Sequence, residues 1–197
     1  FYLTEYHVDG FRYDALNLPV QHSAHGWMFA QHLTSTTRAT KPQAIQIGEY
    51  WPMDAWAVRS RDEGGAGLDA LWNDQLRDAL RAAVAAASWG ADASVDLDRI
   101  AAGLYRPWGV PAAWQSVHYI ESHDEVRVDR GARIPRLADP SNPRSWYARS
   151  RSRVATGLLL TAPGIPLLFM GQEMLEDQPW TDDVARLGNI LGWDALD

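Results

Sequence analysis

The chain contains no cysteine, which excludes a disulfide scaffold without fixing the compartment. It has no excess of basic charge either. Eighteen Lys and Arg stand against 25 Asp and Glu, a net charge of −7, so there is no basic footprint for a phosphate backbone and nucleic acid is excluded as a partner. No stretch approaches the roughly 18 apolar residues of a membrane span, and a membrane partner is excluded with it. No signal peptide is visible, and a cytoplasmic location is the expectation. No internal repeat occurs, and the run Ala82 to Ala87 is explained as helix. What remains is a 197-residue chain with 46% hydrophobic residues, enough for one soluble globular unit with a substantial core.

The most informative feature present is Asp9-Gly10-Phe11-Arg12-Tyr13-Asp14, an apolar run that stops on Arg-x-Asp. A buried strand ending in a charge pair carries a desolvation cost, which is accounted for if that end opens into a cleft where the carboxylate works. Ala44-Ile45-Gln46-Ile47-Gly48-Glu49 repeats the pattern. Val117-His118-Tyr119-Ile120-Glu121-Ser122-His123-Asp124 repeats it again. Three strands that each end in an acid, with room for helices between them, are what a parallel α/β barrel needs to build an acidic site at its C-terminal rim.

The rest of the chain reads in the same alternation. Residues 1–6 read as the last turn of a helix and 7–14 as a strand, followed by a loop over 16–25 that contains Pro19. Trp27, Ala30, Leu33 and Thr34 predict a helix over 26–37, which Lys41-Pro42 closes. A strand over 44–47, a flexible charged loop through 64–67 and a strand over 68–72 follow. Leu76, Leu80, Val84 and Ala87 form one apolar stripe of a helix over 74–87, with Asp78 and Arg81 off it. Helices are also expected over 95–104 and 147–161, and the proline-containing stretch 127–144 reads as a loop at the rim.

These motifs carry a resemblance to the α-amylase superfamily, glycoside hydrolase family 13. Gly10 to Asp14 resembles its Gly-x-Arg-x-Asp strand end, Glu49 its strand-end acid, His123-Asp124 its later His-Asp pair, and residues 164–173 its eighth strand. The resemblance implies an α/β fold that is the C-terminal portion, strands four to eight, of a (β/α)8 barrel. It implies that Asp14 is the nucleophile, Glu49 the acid/base and Asp124 the stabiliser of the transition state. Retaining cleavage of an acetal needs two carboxyl groups about 5 to 5.5 Å apart, one ionised and one protonated. Arg12, two residues before Asp14 on the same strand face, can hold the nucleophile ionised, while Glu49 is expected in surroundings that raise its pKa. His123 is expected to donate to the sugar, and Trp51 to offer a flat face for stacking. Trp72, Trp89 and Trp114 are expected in the core, and Glu173 to organise the rim.

The implied partner is an α-glucan: glycogen, starch or maltooligosaccharides. Ser122-His123-Asp124-Glu125-Val126 resembles 1,4-α-glucan branching enzymes, which favours transfer that forms α-1,6 branches. The alternative is an α-amylase-type hydrolase, since Gly48-Glu49-Tyr50-Trp51 departs from the Glu-Glu pair many branching enzymes show. A noncatalytic barrel relative acting in binding is a third reading, which the presence of all three acids opposes. His22 and His25 lie three apart but no third ligand follows at suitable spacing, so no metal is expected, and no cofactor. A complete barrel takes about 250 residues. The expectation is therefore a partial catalytic domain over 1–197, without the first three strands or the strand-three Asp and His, and ending at residues 193–197 before any β-sandwich domain.

Overall fold

The computed structural model describes residues 1–183, 185 and 191; the closing stretch 193–197 lies outside them. The chain is α/β, with five strands whose order in the sheet is their order in the sequence, β1 to β5. Its described residues fall into two compact units, the first formed by 1–73, 106–117 and 163–165, the second by 74–105, 118–162 and the residues from 166 on.

In the first unit, β1 (Gly10–Tyr13), β2 (Ile45–Gly48) and β3 (Ala70–Asn73) run parallel, with Arg12 opposite Ile47 and Ile47 opposite Ala70. Two helices separate β1 from β2: α1 (Asn17–His22) and α2 (Gly26–Thr40). The helix α1 replaces the loop expected over 16–25. Proline breaks a helix only where an N–H is needed, and Pro19 sits in the first turn, where none is. In α2, Gly26, Ala30, Thr34 and Thr37 are buried at helical spacing. Thr37 and the β2 residue Gln46 both hydrogen-bond the Tyr13 hydroxyl, at 3.1 and 2.7 Å. Between β2 and β3 there is no α-helix, only two 3-10 turns, Ala55–Val58 and Arg61–Glu63. Ser60 closes the second through a reciprocal cap with Glu63, so the charged loop is an ordered connection. Leu16, Tyr50, Val58, Leu68, Leu71 and Val110 form the core of this unit.

The second unit is mainly helical: α3 (Asp74–Ala87), α4 (Leu97–Leu104), α5 (Ile134–Ala138) and α6 (Trp146–Thr161). Its core joins Leu76, Leu80 and Val84 of α3 to Ile120, Ile134, Ala148 and Leu159, so the predicted apolar stripe of α3 is the packed one. The helix α4 starts later than expected because Asp96 caps it, accepting from the Arg99 N–H at 2.8 Å. The expected loop 127–144 contains α5, started by Pro135 in its first turn. Ser145 caps α6 in the same manner as Asp96. Arg81, expected off the stripe, donates to the carbonyls of Ile120 and Ala132 at 3.0 and 2.8 Å. The remaining strands, β4 (Ser116–His118) and β5 (Ile165–Pro166), are short. Residues 1–6 form turns rather than a helix end.

Two of the three tryptophans assigned to the core are not there. Trp72 is 7% exposed, but Trp89 is 87% and Trp114 57% exposed. Trp89 follows the end of α3 and Trp114 lies in a 3-10 turn, positions where the chain leaves its packed elements. No helix among the described residues is long and apolar enough to cross a membrane.

Candidate active site

Parallel pairing of β1 and β2 places Asp14 and Glu49 side by side. The ladder ends with Tyr13 opposite Gly48, and the Glu49 N–H still donates to the Tyr13 carbonyl at 3.0 Å. Each chain then delivers a carboxylate at the same level. Gly10 is what lets the strands approach, because a Cβ there would collide with the Ile45 carbonyl oxygen. The glycine of the motif is thus explained by contact rather than by an unusual φ.

Arg12 joins the two acids. Its Nη1 lies 2.6 Å from Asp14 Oδ1 and its Nη2 2.5 Å from Glu49 Oε2. The guanidinium carbon stands 4.5 Å from the centre of the Trp72 ring. A planar cation stacked on an indole is confined to one orientation, so each edge is aimed at one carboxylate. Its Nε is buried and has no hydrogen-bond partner among the described residues, which is the cost of that stacking. The sequence placed Arg12 with Asp14; the structure adds that it also holds Glu49.

The two acids differ in surroundings. The Asp14 side chain is 76% exposed, that of Glu49 12%. Besides Arg12, Glu49 accepts from the Ala15 N–H at 3.0 Å and the Trp51 indole at 3.4 Å. Ala15 aims that N–H from a backbone with φ of 43°, the left-handed region a non-glycine residue rarely adopts. Such an outlier directly after a strand-end carboxylate is typical of sites where backbone geometry serves chemistry. Trp51 is fixed further by its carbonyl, which accepts from Gln21 at 3.0 Å.

His123 and Asp124 belong to the second unit. Ser122 Oγ accepts from the N–H groups of Asp124 and Glu125 at 3.2 and 3.3 Å, shaping the turn that presents them. The Asp124 carboxylate lies 3.1 Å from Arg130 Nη1 and 3.5 Å from His123 Nε2. The His123 ring meets Trp180 edge to face, with centroids 6.0 Å apart. Arg130 was missed in the sequence because it sits in a stretch read only as a loop. His22 and His25 are both exposed, as is Glu173.

Behind this turn the second unit holds two charge networks that the sequence did not announce. Arg133 and Glu121, 2% and 1% exposed at the side chain, form an ion pair at 2.9 Å. Burial pushes the Glu121 carboxyl up, against the pull of Arg133 and of the Ile134 N–H, which donates to it at 2.7 Å. Arg77 contacts Asp78, Glu125 and the Tyr119 hydroxyl, all at 2.7 to 2.8 Å. Burial raises the Tyr119 phenol well above its ordinary value, leaving it a neutral partner for Arg77.

No family model matches the chain. It is 28% identical over 218 residues to the 1,4-alpha-glucan branching enzyme GlgB of Paramagnetospirillum magneticum, covering 98% of this chain and 27% of that protein. It is 27% identical over 217 residues to the pullulanase of Bacillus subtilis, covering 98% of this chain and 28% of that protein. Among solved structures, the α-amylase of Geobacillus thermoleovorans complexed with acarbose matches with a TM-score of 0.65 and 25% identity, over 90% of this chain and 35% of that one. The chain thus spans just over a quarter of the length of these curated relatives. Branching enzyme, pullulanase and α-amylase are all proteins of glycoside hydrolase family 13, the family the sequence resembles, and the similarity to the first two covers 98% of this chain.

Proposed function

We propose that this chain is the part of a retaining α-glucan-active barrel enzyme that resembles strands four to eight, and that its reaction is α-1,4-glucan branching. The observation that carries the proposal is the Arg12 bridge, one stacked guanidinium within hydrogen-bond reach of two strand-end carboxylates. An exposed Asp14 can reach an anomeric carbon. The more buried Glu49, held by a backbone N–H and an indole, can carry a proton to and from an oxygen.

In this mechanism Asp14 attacks the anomeric carbon, and the C–O bond to the leaving glucan breaks as Glu49 gives that oxygen its proton. Asp14 is then bound covalently to the sugar. Glu49 takes the proton of an incoming 6-hydroxyl from another glucan, that oxygen attacks the same carbon, and Asp14 leaves as a carboxylate. Arg12 stabilises the Asp14 carboxylate that attacks and that later leaves, through the contact at 2.6 Å. Asp124 favours the oxocarbenium-like transition state, His123 donates to a sugar hydroxyl, and Trp51 stacks on a ring.

Both 1,4-α-glucan branching enzyme likeness and the Ser122 to Val126 motif favour transfer. The likeness to an α-amylase favours a second reading, in which water replaces the 6-hydroxyl and the outcome is hydrolysis. Incubation of the complete enzyme with amylose separates them. Branching creates α-1,6 linkages with little gain in reducing ends, and Asp14→Asn abolishes both signals. A steep rise in reducing ends without new branches selects the hydrolase, and full activity of Asp14→Asn refutes the catalytic assignment altogether.

A further inference from the structure

A groove of about 480 Å³ in the second unit lies between α6, along Arg149 to Leu160, and the 3-10 turn Gln172–Met174. Its polar groups come from Arg144, Arg149, Arg153, Thr156, Gln172 and Glu173. None of these residues has a part in the proposed cleavage. We propose that this groove binds a hexose phosphate, with the phosphoryl group on the arginines and the ring hydroxyls on Glu173 and Thr156.

Three observations point to this ligand. Arg149 and Arg153 are four residues apart on α6 and so share a face, both are exposed, and among the described residues neither is paired with a carboxylate. Two like charges at this spacing weaken a helix, an effect that a bound dianion reverses. Arg144 is fixed in advance, because Asp177, nearly buried, holds its Nε and Nη2 at 3.2 and 2.9 Å. That leaves Nη1 without a hydrogen bond among the described residues and still able to donate to a phosphoryl oxygen.

The opposite wall is polar but not cationic. Gln172 is locked, its Nε2 donating to Thr156 Oγ1 at 3.3 Å and its Oε1 accepting from the Phe169 N–H at 3.4 Å. Glu173 beside it opposes a bare phosphate by charge yet accepts well from sugar hydroxyls. The arginines and Thr156 on α6, with Gln172 and Glu173 supplied by the 3-10 turn, therefore select a ligand that is anionic at one end and hydroxylated at the other. The volume is within the range of small-molecule sites. Such a ligand can be a free hexose phosphate or a phosphate ester carried on a glucan chain.

Titration calorimetry on the full-length protein tests this with glucose 6-phosphate, glucose, inorganic phosphate and a phosphorylated maltooligosaccharide. Glucose 6-phosphate is expected to bind at least about tenfold more tightly than inorganic phosphate, and glucose not to bind at this groove. Arg149→Ala and Arg153→Ala are each expected to weaken it by about tenfold or more with an unchanged melting curve, and Arg153→Lys to weaken it less. A chain ester that binds tighter than glucose 6-phosphate, and is lost in the same variants, assigns the site to modified glucan; equal affinity assigns it to the free ester. Absence of glucose 6-phosphate binding, binding of inorganic phosphate with equal strength, or arginine variants that bind as well as the parent would overturn the proposal.

Discussion

Arg133→Met is expected to be among the most damaging single substitutions in the second unit. Arg133 Nη1 donates to Glu121 and to the Met170 carbonyl, both at 2.9 Å, and Nε donates to the Gln178 carbonyl at 2.9 Å. Its guanidinium carbon also lies 5.1 Å from the centre of the Phe169 ring. Methionine fills much of the volume but leaves Glu121 charged, buried and held only by the Ile134 N–H. Removing one partner of a buried pair typically costs about 3–5 kcal/mol. In a chain of this size each kcal/mol moves the melting temperature by roughly 2–4 °C, so a fall of about 6 to 20 °C is expected. Glu121→Gln keeps an acceptor for Ile134 and leaves the cation with two carbonyls, for a loss of about 1–3 kcal/mol. The double variant removes the stranded charge, so its loss falls short of the sum by about 1–3 kcal/mol. The pH dependence has a definite sign. In Arg133→Met burial raises the folded Glu121 carboxyl with only the charge of Arg81 left to oppose it, so its contribution is fully present below the unfolded value near 4.5 and is lost as pH rises through the folded one. The variant is thus closer to the parent in acid than at neutrality. Melting curves across that range check it. Additive losses in the double variant, or a deficit that does not shrink in acid, would refute the reasoning.

Asp139 accepts from the Ser141 and Ser145 hydroxyls and from the Asn142 N–H, and these bonds hold its carboxyl at about 2. Its contribution is present above the unfolded value near 3.8 and is lost as pH falls toward 2, so acid unfolding of the parent and of Asp139→Asn is expected to converge there; curves that stay equally separated at every pH contradict it. Gly10→Ala forces a Cβ onto the Ile45 carbonyl and is expected to break the β1–β2 pairing; a crystal structure of the variant with Arg12 still bridging Asp14 and Glu49 would show that the strand spacing has more slack than argued.

The parts of this chain legible in its sequence are those fixed by local pattern. Strand ends at Asp14 and Glu49 follow from apolar runs that stop on acids, and the packed face of α3 follows from Leu76, Leu80 and Val84. What escaped the sequence depends on which distant group a side chain meets. A charge on an amphipathic helix defaults to solvent, yet Arg81 ends on two carbonyls of a later segment. An aromatic ring defaults to the core, yet Trp89 and Trp114 stand exposed where their elements end. Proline signals a break, but Pro19 and Pro135 each lie in the first turn of a short helix, where the missing N–H costs nothing.

The same limit applies to the candidate site. An Arg two residues before an Asp on one strand can be paired with it from spacing alone, whereas its second carboxylate lies 37 residues away and depends on parallel register. Once Gly10 lets β1 and β2 close and Tyr13 stands opposite Gly48, the next residue of each strand is an acid, and one guanidinium placed on Trp72 reaches both. The register therefore converts two separate motifs into a single charge-coupled pair. Any substitution that shifts it by one residue would carry Arg12 and Asp14 together to the opposite face and leave Glu49 without its cation.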